Sequence, residues 1–274
     1  MKIEALPVTS TLGAEIRGLD LSKPLPEDTA SAVLNALFEH RVIFFRGQDI
    51  TPAQHVAFSA QLGPVFSDFP PYLTTLDGQP EVTVLDGGSA DSASFWHSDV
   101  SGSTEPPMAS ILVMREAPRY GGDTLWADMT AAYAALSDRM KSYLEGLRAV
   151  HGGPTDRTLR KLSPPTSEEP LDSGDSSRVS HPVVRTHPAT GRKILFVNPG
   201  FTHYILGLPT AEADAVLEYL FHHQQQADFQ CRWRWQQGDI AIWDNRAVHH
   251  YAIGDYAGMQ RTIHRTTLEG DAPY

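Results

Sequence analysis

An imidazole and a carboxylate stand two positions apart at His97 and Asp99, within the sequence Phe-Trp-His-Ser-Asp. If this pair lies on a strand, both side chains point to the same face, because side chains alternate along a strand. A second imidazole from the downstream pair His249 and His250, carried on a neighbouring strand, would complete a set of two histidines and one carboxylate. That set leaves coordination positions open and is typical of non-haem Fe(II) oxygenases.

A His-x-Asp pair also occurs by chance in a chain with 12 histidines, and a surface histidine beside a surface aspartate is the simpler interpretation. A second pattern concerns Arg261 and Arg265, which are four residues apart and share a face if they lie on a strand. Two arginines near a C-terminus are often solvated charges. The functional interpretation is that their guanidinium groups bind two carboxylates through paired hydrogen bonds, a geometry that lysine cannot provide.

The elements that must position these residues are mostly short strands. Strand-like segments are predicted within 1–24 and at 41–45, 81–86, around His97, 109–114, 194–198, 229–235 and 240–243. Helical periodicity predicts helices at 26–41, at 51–62 with Thr51 as N-cap, at 129–150 with a break near 137–138, and at 210–223 with Thr210 as N-cap. Many short strands with few helices indicate a mainly β fold, a sandwich or jelly roll with covering helices.

Residues 152–180 differ from the rest of the chain, because they are rich in serine, proline, glycine and charged residues. Such a long segment in a compact domain is either a flexible surface insertion or a lid over the active site. No internal repeat or strong domain boundary is evident, so we expect one domain over residues 1–274.

Composition limits the partners and the compartment. The chain has 274 residues and a net charge of −11, which argues against nucleic acid or an anionic membrane as the main partner. No stretch reaches the ~18 apolar residues of a membrane span, and no signal-peptide pattern precedes Gly13. Cys231 is the only cysteine, so no intrachain disulfide can form and a reducing compartment is favoured. We therefore expect a cytoplasmic protein, either a monomer or a homo-oligomer.

Four motifs together resemble the taurine catabolism dioxygenase (TauD/TfdA) family of Fe(II)- and 2-oxoglutarate-dependent oxygenases. They are Trp-His-Ser-Asp-Val at 96–100, Gly-Gly-Asp-Thr-Leu-Trp at 121–126, Trp-Asp-Asn-Arg-Ala-Val-His-His-Tyr-Ala at 243–252 and Arg-Thr-Ile-His-Arg at 261–265. Their order and spacing match the family, and similarity extends along nearly the whole chain. The resemblance implies a double-stranded β-helix (jelly-roll) core.

The resemblance also implies the metal ligands. His97 and Asp99 would bind the iron, and the third ligand would be His250, seven residues after Trp243. Adjacent strand residues face opposite ways, so only one of His249 and His250 can bind the metal. We expect His250 to bind it and His249 to lie at the pocket rim or behind the ligands. The three ligands are then also the catalytic centre.

By the same resemblance, Arg261 binds the distal carboxylate of 2-oxoglutarate with help from the hydroxyl of Thr124. Arg265 would bind an acidic group of the primary substrate. The implied reaction consumes O2 and 2-oxoglutarate, hydroxylates the substrate and releases succinate and CO2. Asp99 favours hydroxylation over halogenation, because the related halogenases lack this carboxylate.

The substrate itself is less well defined. Taurine-type enzymes hold the sulfonate with a histidine upstream of the metal motif, yet no histidine lies between His55 and His97. This difference argues against taurine and for another sulfonate, an alkyl sulfate, an aryloxy acid or another carboxylate. Tyr72, Val100 and Phe201 are candidate apolar walls of the substrate pocket, although each could equally serve ordinary core packing.

Two other interpretations use the same residues. One is a hydrolase in which the metal motif binds Zn(II) and a hydroxide, which leaves Thr124, Arg261 and Arg265 without a role. The other is a non-catalytic binding protein of jelly-roll fold, against which the intact metal motif argues. An Fe(II)- and 2-oxoglutarate-dependent dioxygenase acting on a small anionic molecule is therefore the expected function.

Overall fold

The computed structural model describes residues 3–68, 73–86, 94–155 and 178–274. Within these ranges the strands are β1 (Glu4–Pro7), β2 (Ala14–Arg17), β3 (Val42–Phe45), β4 (Thr75–Leu76), β5 (Gln79–Asp86), β6 (Ala109–Glu116), β7 (Thr124–Asp128), β8 (Arg148–His151), β9 (Val179–Pro182), β10 (Val184–Thr186), β11 (Lys193–Leu195), β12 (Thr202–Ile205), β13 (Gln230–Trp233), β14 (Ile240–Asp244), β15 (Val248–Ala252) and β16 (Thr262–Leu268). The helices in the same ranges are α1 (Glu27–His40), α2 (Pro52–Ala60), α3 (Met129–Ala135), α4 (Asp138–Leu144) and α5 (Thr210–Gln224). Tyr72 and most of the predicted lid at 152–180 lie outside the described residues.

Two β-sheets form the centre of the molecule. The larger has eight strands in the order β1-β2-β3-β14-β6-β16-β5-β4, and only its β2–β3 pair is parallel. The smaller has the order β13-β7-β15, with both pairs antiparallel. In β13 the predicted alternation is present, because Cys231 and Trp233 are buried while Arg232 is exposed. The prediction of a mainly β fold with covering helices is confirmed.

Aromatic side chains fill the space between the two sheets. Trp126 of β7 and Trp233 of β13 pack in one buried cluster with Phe44 of β3 and Trp243 of β14. Each of these four side chains is at most 5% exposed. Since each buried aromatic side chain removes ~150–250 Å² from water, this cluster stabilises the packing of the two sheets.

Helices cover the outer faces of the sheets. On the larger sheet, Leu37 of α1 and Phe58 of α2 join a buried cluster with Ile242 of β14. On the smaller sheet, Leu217 of α5 packs in a second cluster that includes Ala127 of β7. Among the described helices, none has the length and apolar character that crossing a bilayer demands.

The start of α2 agrees with its sequence signal. The Thr51 hydroxyl accepts a hydrogen bond from the backbone N–H of Gln54, and the Gln54 side chain accepts one from the backbone N–H of Thr51. This reciprocal capping box, with Pro52 at the first helical position, satisfies two backbone donors that would otherwise lack partners.

Two predicted helix boundaries are wrong. The helix expected to reach residue 150 ends at Leu144, since Gly146 has a φ of +78° and the following residues pair as β8 with β9 and β12. A glycine in the left-handed region commonly terminates a helix. At α5 the N-cap is Pro209 rather than Thr210, which is the first helical residue.

Candidate metal centre and active site

His97, Asp99 and His250 come together beside the aromatic core. The Nε2 atoms of His97 and His250 lie 3.7 Å and 3.6 Å from Oδ1 of Asp99. One ligand atom from each of the three side chains lies within 4.8 Å of the other two, and all three residues are buried. Within the described part of the chain this is the only such group of three or more histidine, cysteine or acidic side chains. The arrangement can hold one metal ion.

A bridge and a turn, rather than a strand, position the first two ligands. His97 forms an isolated β-bridge with His250 of β15, with backbone hydrogen bonds of 3.1 Å and 2.8 Å. The chain then turns at Asp99 and Val100. A strand through the His-x-Asp pair is therefore a wrong prediction, although both side chains do reach the same point. A strand cannot continue past Asp99, because the backbone of Val100 has a left-handed φ of +49°.

A chain of hydrogen bonds fixes the carboxylate of Asp99. Its Oδ2 accepts a 2.7 Å bond from Oγ of Ser110 on β6. The Ser110 oxygen accepts a 2.9 Å bond from Nδ2 of Asn245, whose Oδ1 accepts a 2.7 Å bond from Nε1 of Trp243. Sequence reasoning missed Ser110, and its only signal was a polar residue inside the apolar run Ala-Ser-Ile-Leu-Val-Met.

Burial controls the charges of this group. Desolvation lowers the pKa of His250 to about 3 and also lowers the pKa of His97. Burial alone would raise the pKa of Asp99, but the imidazoles, the charge of Arg265 and the Ser110 hydroxyl together lower it to about 2. At neutral pH the centre thus presents two neutral imidazoles and one carboxylate, which are the states in which these side chains bind metals.

His249 is next to His250 on β15 but does not join the group of three. Adjacent residues on a strand face opposite sides, and His249 is only 2% exposed on its side. Burial lowers the pKa of His249 to about 3, so its imidazole is neutral at pH 7. The His249 side chain is therefore on the face of β15 opposite to His250.

Arg261 lies directly before β16, so it does not share a strand with Arg265 and the prediction of a common strand is wrong. Its buried side chain donates through Nε to the carbonyl oxygen of Gly122 at 3.0 Å, and the guanidinium lies 5.5 Å from the ring centroid of Tyr256. Gly122 has a φ of +66°, and a Cβ there would lie 3.0 Å from Cδ of Arg261. Glycine therefore gives the arginine its space.

Thr124 stands two residues after Gly122, at the start of β7. Its Oγ1 accepts a 2.9 Å hydrogen bond from Nε1 of Trp235. A threonine hydroxyl both donates and accepts, so this bond leaves its proton available for another acceptor. The side chain is 3% exposed, which places that proton in the interior.

A cavity of about 460 Å³ adjoins Asp99 and Arg265. Arg265, on β16, has Nη1 3.5 Å from Oδ1 of Asp99 and donates through Nε to Oγ1 of Thr83 at 3.3 Å. The apolar residues on the wall include Phe66, Leu73, Val100 and Leu268. The wall also carries the carboxylates of Asp68, Glu105 and Glu269. A nearly buried cation thus lies where a cavity of mixed apolar and polar lining meets the candidate ligands.

The three predicted apolar walls have different outcomes. Val100 lines this cavity and is 54% exposed. Phe201 instead packs edge-on against the ring of His97, with 5.7 Å between ring centroids, and against Phe95 at 5.8 Å. Tyr72 lies outside the described residues, so its role stays a prediction.

Comparison with known proteins identifies the family to which the chain belongs. The profile of the taurine catabolism dioxygenase TauD, TfdA family matches residues 4–267. The chain belongs to this family. The match covers the two histidines, the carboxylate and both arginines described above.

Several known proteins are similar to this chain over nearly its whole length. An alpha-ketoglutarate-dependent sulfate ester dioxygenase of Pseudomonas putida is 37% identical, over 100% of this chain and 91% of the relative. An alpha-ketoglutarate-dependent 2,4-dichlorophenoxyacetate dioxygenase of Cupriavidus pinatubonensis is 32% identical, over 99% of each chain. The crystal structure of a taurine dioxygenase from Burkholderia xenovorans matches with a TM-score of 0.84 and 36% identity, over 99% of this chain and 92% of that one.

These comparisons confirm the predicted class, fold and cofactors. The protein is an Fe(II)- and 2-oxoglutarate-dependent dioxygenase of jelly-roll fold that uses O2. The alternatives of a Zn(II) hydrolase and of a non-catalytic binding protein find no support among the relatives. Both relatives are named for small anionic substrates.

Proposed function

We propose that this dioxygenase hydroxylates a sulfate ester with a small apolar organic group, forming succinate and CO2 as co-products. The observation that carries the proposal is the cavity of about 460 Å³ in which the cation of Arg265 lies beside Asp99. One anionic group and one oxidisable carbon can be held there next to the metal centre. The substrate named for the 37% identical relative supports the same choice.

We assign the iron to His97, Asp99 and His250, and their donor set fits Fe(II). Two imidazoles and one carboxylate with further positions open form the ligand set typical of such oxygenases. Both imidazoles are neutral at pH 7, because burial lowers the pKa of each histidine. When bound, iron and 2-oxoglutarate together supply the chemistry that activates O2 and oxidises a C–H bond.

We assign the distal carboxylate of 2-oxoglutarate to Arg261 and Thr124. The Arg261 guanidinium is buried, yet among the described residues no carboxylate lies within ion-pair distance of it. Asp123 acts on this cation only from a distance, and a buried cation with no carboxylate in direct contact is costly, so an anionic ligand would stabilise this arrangement. The Thr124 hydroxyl, which already accepts from Trp235, has its proton left to donate to that ligand.

Arg265 would hold the sulfate group, while the apolar wall contacts the organic part of the substrate. Hydroxylation of the carbon that bears the ester oxygen gives an unstable product. The new hydroxyl loses its proton, a carbonyl forms, and the bond between carbon and ester oxygen breaks. The products are an aldehyde and inorganic sulfate. An aryloxyacetate is the second candidate, because the 32% identical relative is named for one and the same collapse releases a phenol.

The test is an assay of protein reconstituted anaerobically with Fe(II) and 2-oxoglutarate and started with O2. Succinate and inorganic sulfate are both measured, with alkyl sulfates of increasing length, with taurine and with an aryloxyacetate. Equal amounts of succinate and sulfate from an alkyl sulfate support the proposal. Phenol release without sulfate release moves the enzyme to the second class. Succinate formation that no compound stimulates rejects both substrate classes.

A further inference from the structure

The turn that follows Asp99 adopts a backbone that its sequence does not favour. Val100 and Arg41 are the non-glycine residues with positive φ in the described parts of the chain, at +49° and +62°. For a β-branched residue such as valine this conformation is an outlier, and it persists only where surrounding contacts impose it. Val100 follows Asp99 directly, so this turn begins at the residue that carries the carboxylate.

A buried polar cluster, formed by Ser101, His151 and Asn198, contacts this turn, and we call it the Asn198 cluster. Nδ2 of Asn198 donates to Oγ of Ser101 at 3.0 Å, and Nδ1 of His151 lies 3.2 Å from the same oxygen. Each of the three residues is at most 1% exposed. Since Ser101 accepts from Asn198, its own proton is free to be donated to His151. The cluster therefore anchors the turn from one side.

The other end of the Asn198 amide holds a second segment of the site. Its Oδ1 accepts a 2.8 Å hydrogen bond from the backbone N–H of Phe201. The ring of Phe201 packs edge-on against His97. One side-chain amide thus connects the turn that carries Asp99 with the segment that packs against His97.

Two further contacts brace the same turn. Nε2 of His181 donates to the carbonyl oxygen of Ser103 at 2.9 Å. The backbone of Gly102 approaches the end of β8 so closely that a Cβ on it would lie 2.7 Å from the carbonyl oxygen of Gly152. The turn is therefore enclosed by β8 and β9 as well as by the Asn198 cluster, and it has little freedom to relax while those contacts remain.

We propose that the Asn198 cluster is the positioning device of the metal centre. It imposes the left-handed turn at Val100, and it thereby sets the direction of Asp99 and the place of Val100 in the cavity wall. This inference rests on the proposed function, because it takes Asp99 as a metal ligand and Val100 as a substrate contact. Without the cluster the turn relaxes, metal binding weakens, and 2-oxoglutarate turnover is less tightly coupled to substrate hydroxylation.

The test compares Ser101→Ala and Asn198→Ala with a matched control, Ser59→Ala. Ser59 is equally buried at 0% exposure, and its hydroxyl donates to the carbonyl oxygen of His55 and is 2.7 Å from Oγ1 of Thr266. Those contacts lie on the covered outer face of the larger sheet. Mn(II) affinity of the metal-free protein is measured by titration, and thermal melting checks that each variant is folded. The ratio of succinate to hydroxylated product is the second readout.

We expect Ser101→Ala and Asn198→Ala to bind Mn(II) ~10–100-fold more weakly than the control, which is the usual effect of losing a residue that orients a metal ligand. We also expect both to release more succinate per hydroxylated product. Folded variants that bind Mn(II) as tightly as Ser59→Ala overturn the proposal. If Asn198→Ala does not fold, the test is decided by Ser101→Ala, which removes only one oxygen atom. Weakened Mn(II) binding in a protein that oxidises no tested substrate supports the positioning role and rejects the proposed substrate class.

Discussion

The two oxygens of the Asp99 carboxylate have different surroundings. Oδ2 accepts the hydroxyl of Ser110, whereas Oδ1 faces both imidazoles at 3.6–3.7 Å and Arg265 at 3.5 Å. A bond to a buried hydroxyl limits rotation of the carboxylate. We therefore expect Oδ1 alone to bind the metal, with Ser110 holding the other oxygen.

The assignment of His250 rather than His249 leads to a prediction about metal binding. His250→Ala should lose high-affinity Mn(II) binding, because it removes one of three ligands, whereas His249→Ala should largely keep it. Equilibrium titration of the metal-free variants measures both affinities. Since the two histidines are adjacent and similarly buried, each variant serves as the packing control of the other. The reverse pattern would show that His249 is the ligand.

The two arginines should have separable effects on the kinetics. Arg261→Ala should raise the KM for 2-oxoglutarate, and Arg265→Ala should raise the KM for the sulfate ester. Loss of one buried charge pair costs about 2–5 kcal/mol. Steady-state kinetics with each ligand varied in turn measures the effect, and each variant controls for general damage in the other. If one variant changes both constants equally, its arginine does not have the separate role proposed.

At the level of elements, the ends of the central strands position the residues of the metal centre. The end of β14 is anchored by Asp244, which is fully buried and accepts hydrogen bonds from Nε and Nη2 of Arg246 at 2.9 Å and 2.8 Å. Nε2 of His187 lies 2.8 Å from the same carboxylate. The next residue, Asn245, supports Ser110 and through it Asp99. The buried ion pair of Asp244 and Arg246 is thus adjacent in sequence to Asn245, which holds Ser110 beside Asp99.

The Asp244 pair predicts an acid-dependent loss of stability. Burial raises the pKa of Asp244, but Arg246 and His187 outweigh it and hold the pKa below its usual range. The folded state then binds fewer protons than the unfolded state, in which the pKa is about 3.9. This contribution is complete above about pH 4 and declines as the pH falls below it.

Asp244→Asn should lower the free energy of unfolding at pH 7 by about 3–5 kcal/mol, because it leaves a buried guanidinium poorly paired. It should also flatten the decline below about pH 4. Urea unfolding from pH 7 to pH 3 measures both effects. Asp20→Asn is the control, since its ion pair with Lys23 is exposed and contributes little. An unchanged acid profile in Asp244→Asn would contradict the prediction.

At the scale of the whole molecule, the two sheets share one interior. Trp126 and Trp233 come from the smaller sheet, Phe44 and Trp243 come from the larger one, and all belong to one cluster. The outer clusters lie against the same two sheets. We propose on this basis that residues 1–274 form a single domain.

A single domain should unfold in one cooperative step. Urea unfolding followed by tryptophan fluorescence, which reports the interior between the sheets, should coincide with unfolding followed by far-ultraviolet circular dichroism. Separate midpoints for the two signals would show that one part of the chain folds independently. The control is metal-free protein on both probes, because a bound metal raises the apparent stability.

Local sequence predicted much of the secondary structure. Capping at Thr51 and alternation at Cys231 and Trp233 depend on neighbouring residues, so they are visible without tertiary information. The strand expected at Asp99 and the helix expected to reach Val150 are not present. At 99–103 long-range contacts override local preference through the enclosed turn. At the helix end the glycine at 146 is a local stop signal, and the pairing of β8 with β9 then takes up the following residues.

The sequence by itself determined the types of donor, their order along the chain and, through four motifs, the resemblance to one family. It did not determine which groups meet. The pairing of β15 with β7 places His250 opposite Trp126, and that register decides which of two adjacent histidines points toward Asp99. Ser110 and Asn198 reach the site only because distant strands and turns pack together. The direction of a side chain and the distance between remote residues follow from sheet pairing and burial, and these are properties of the whole fold.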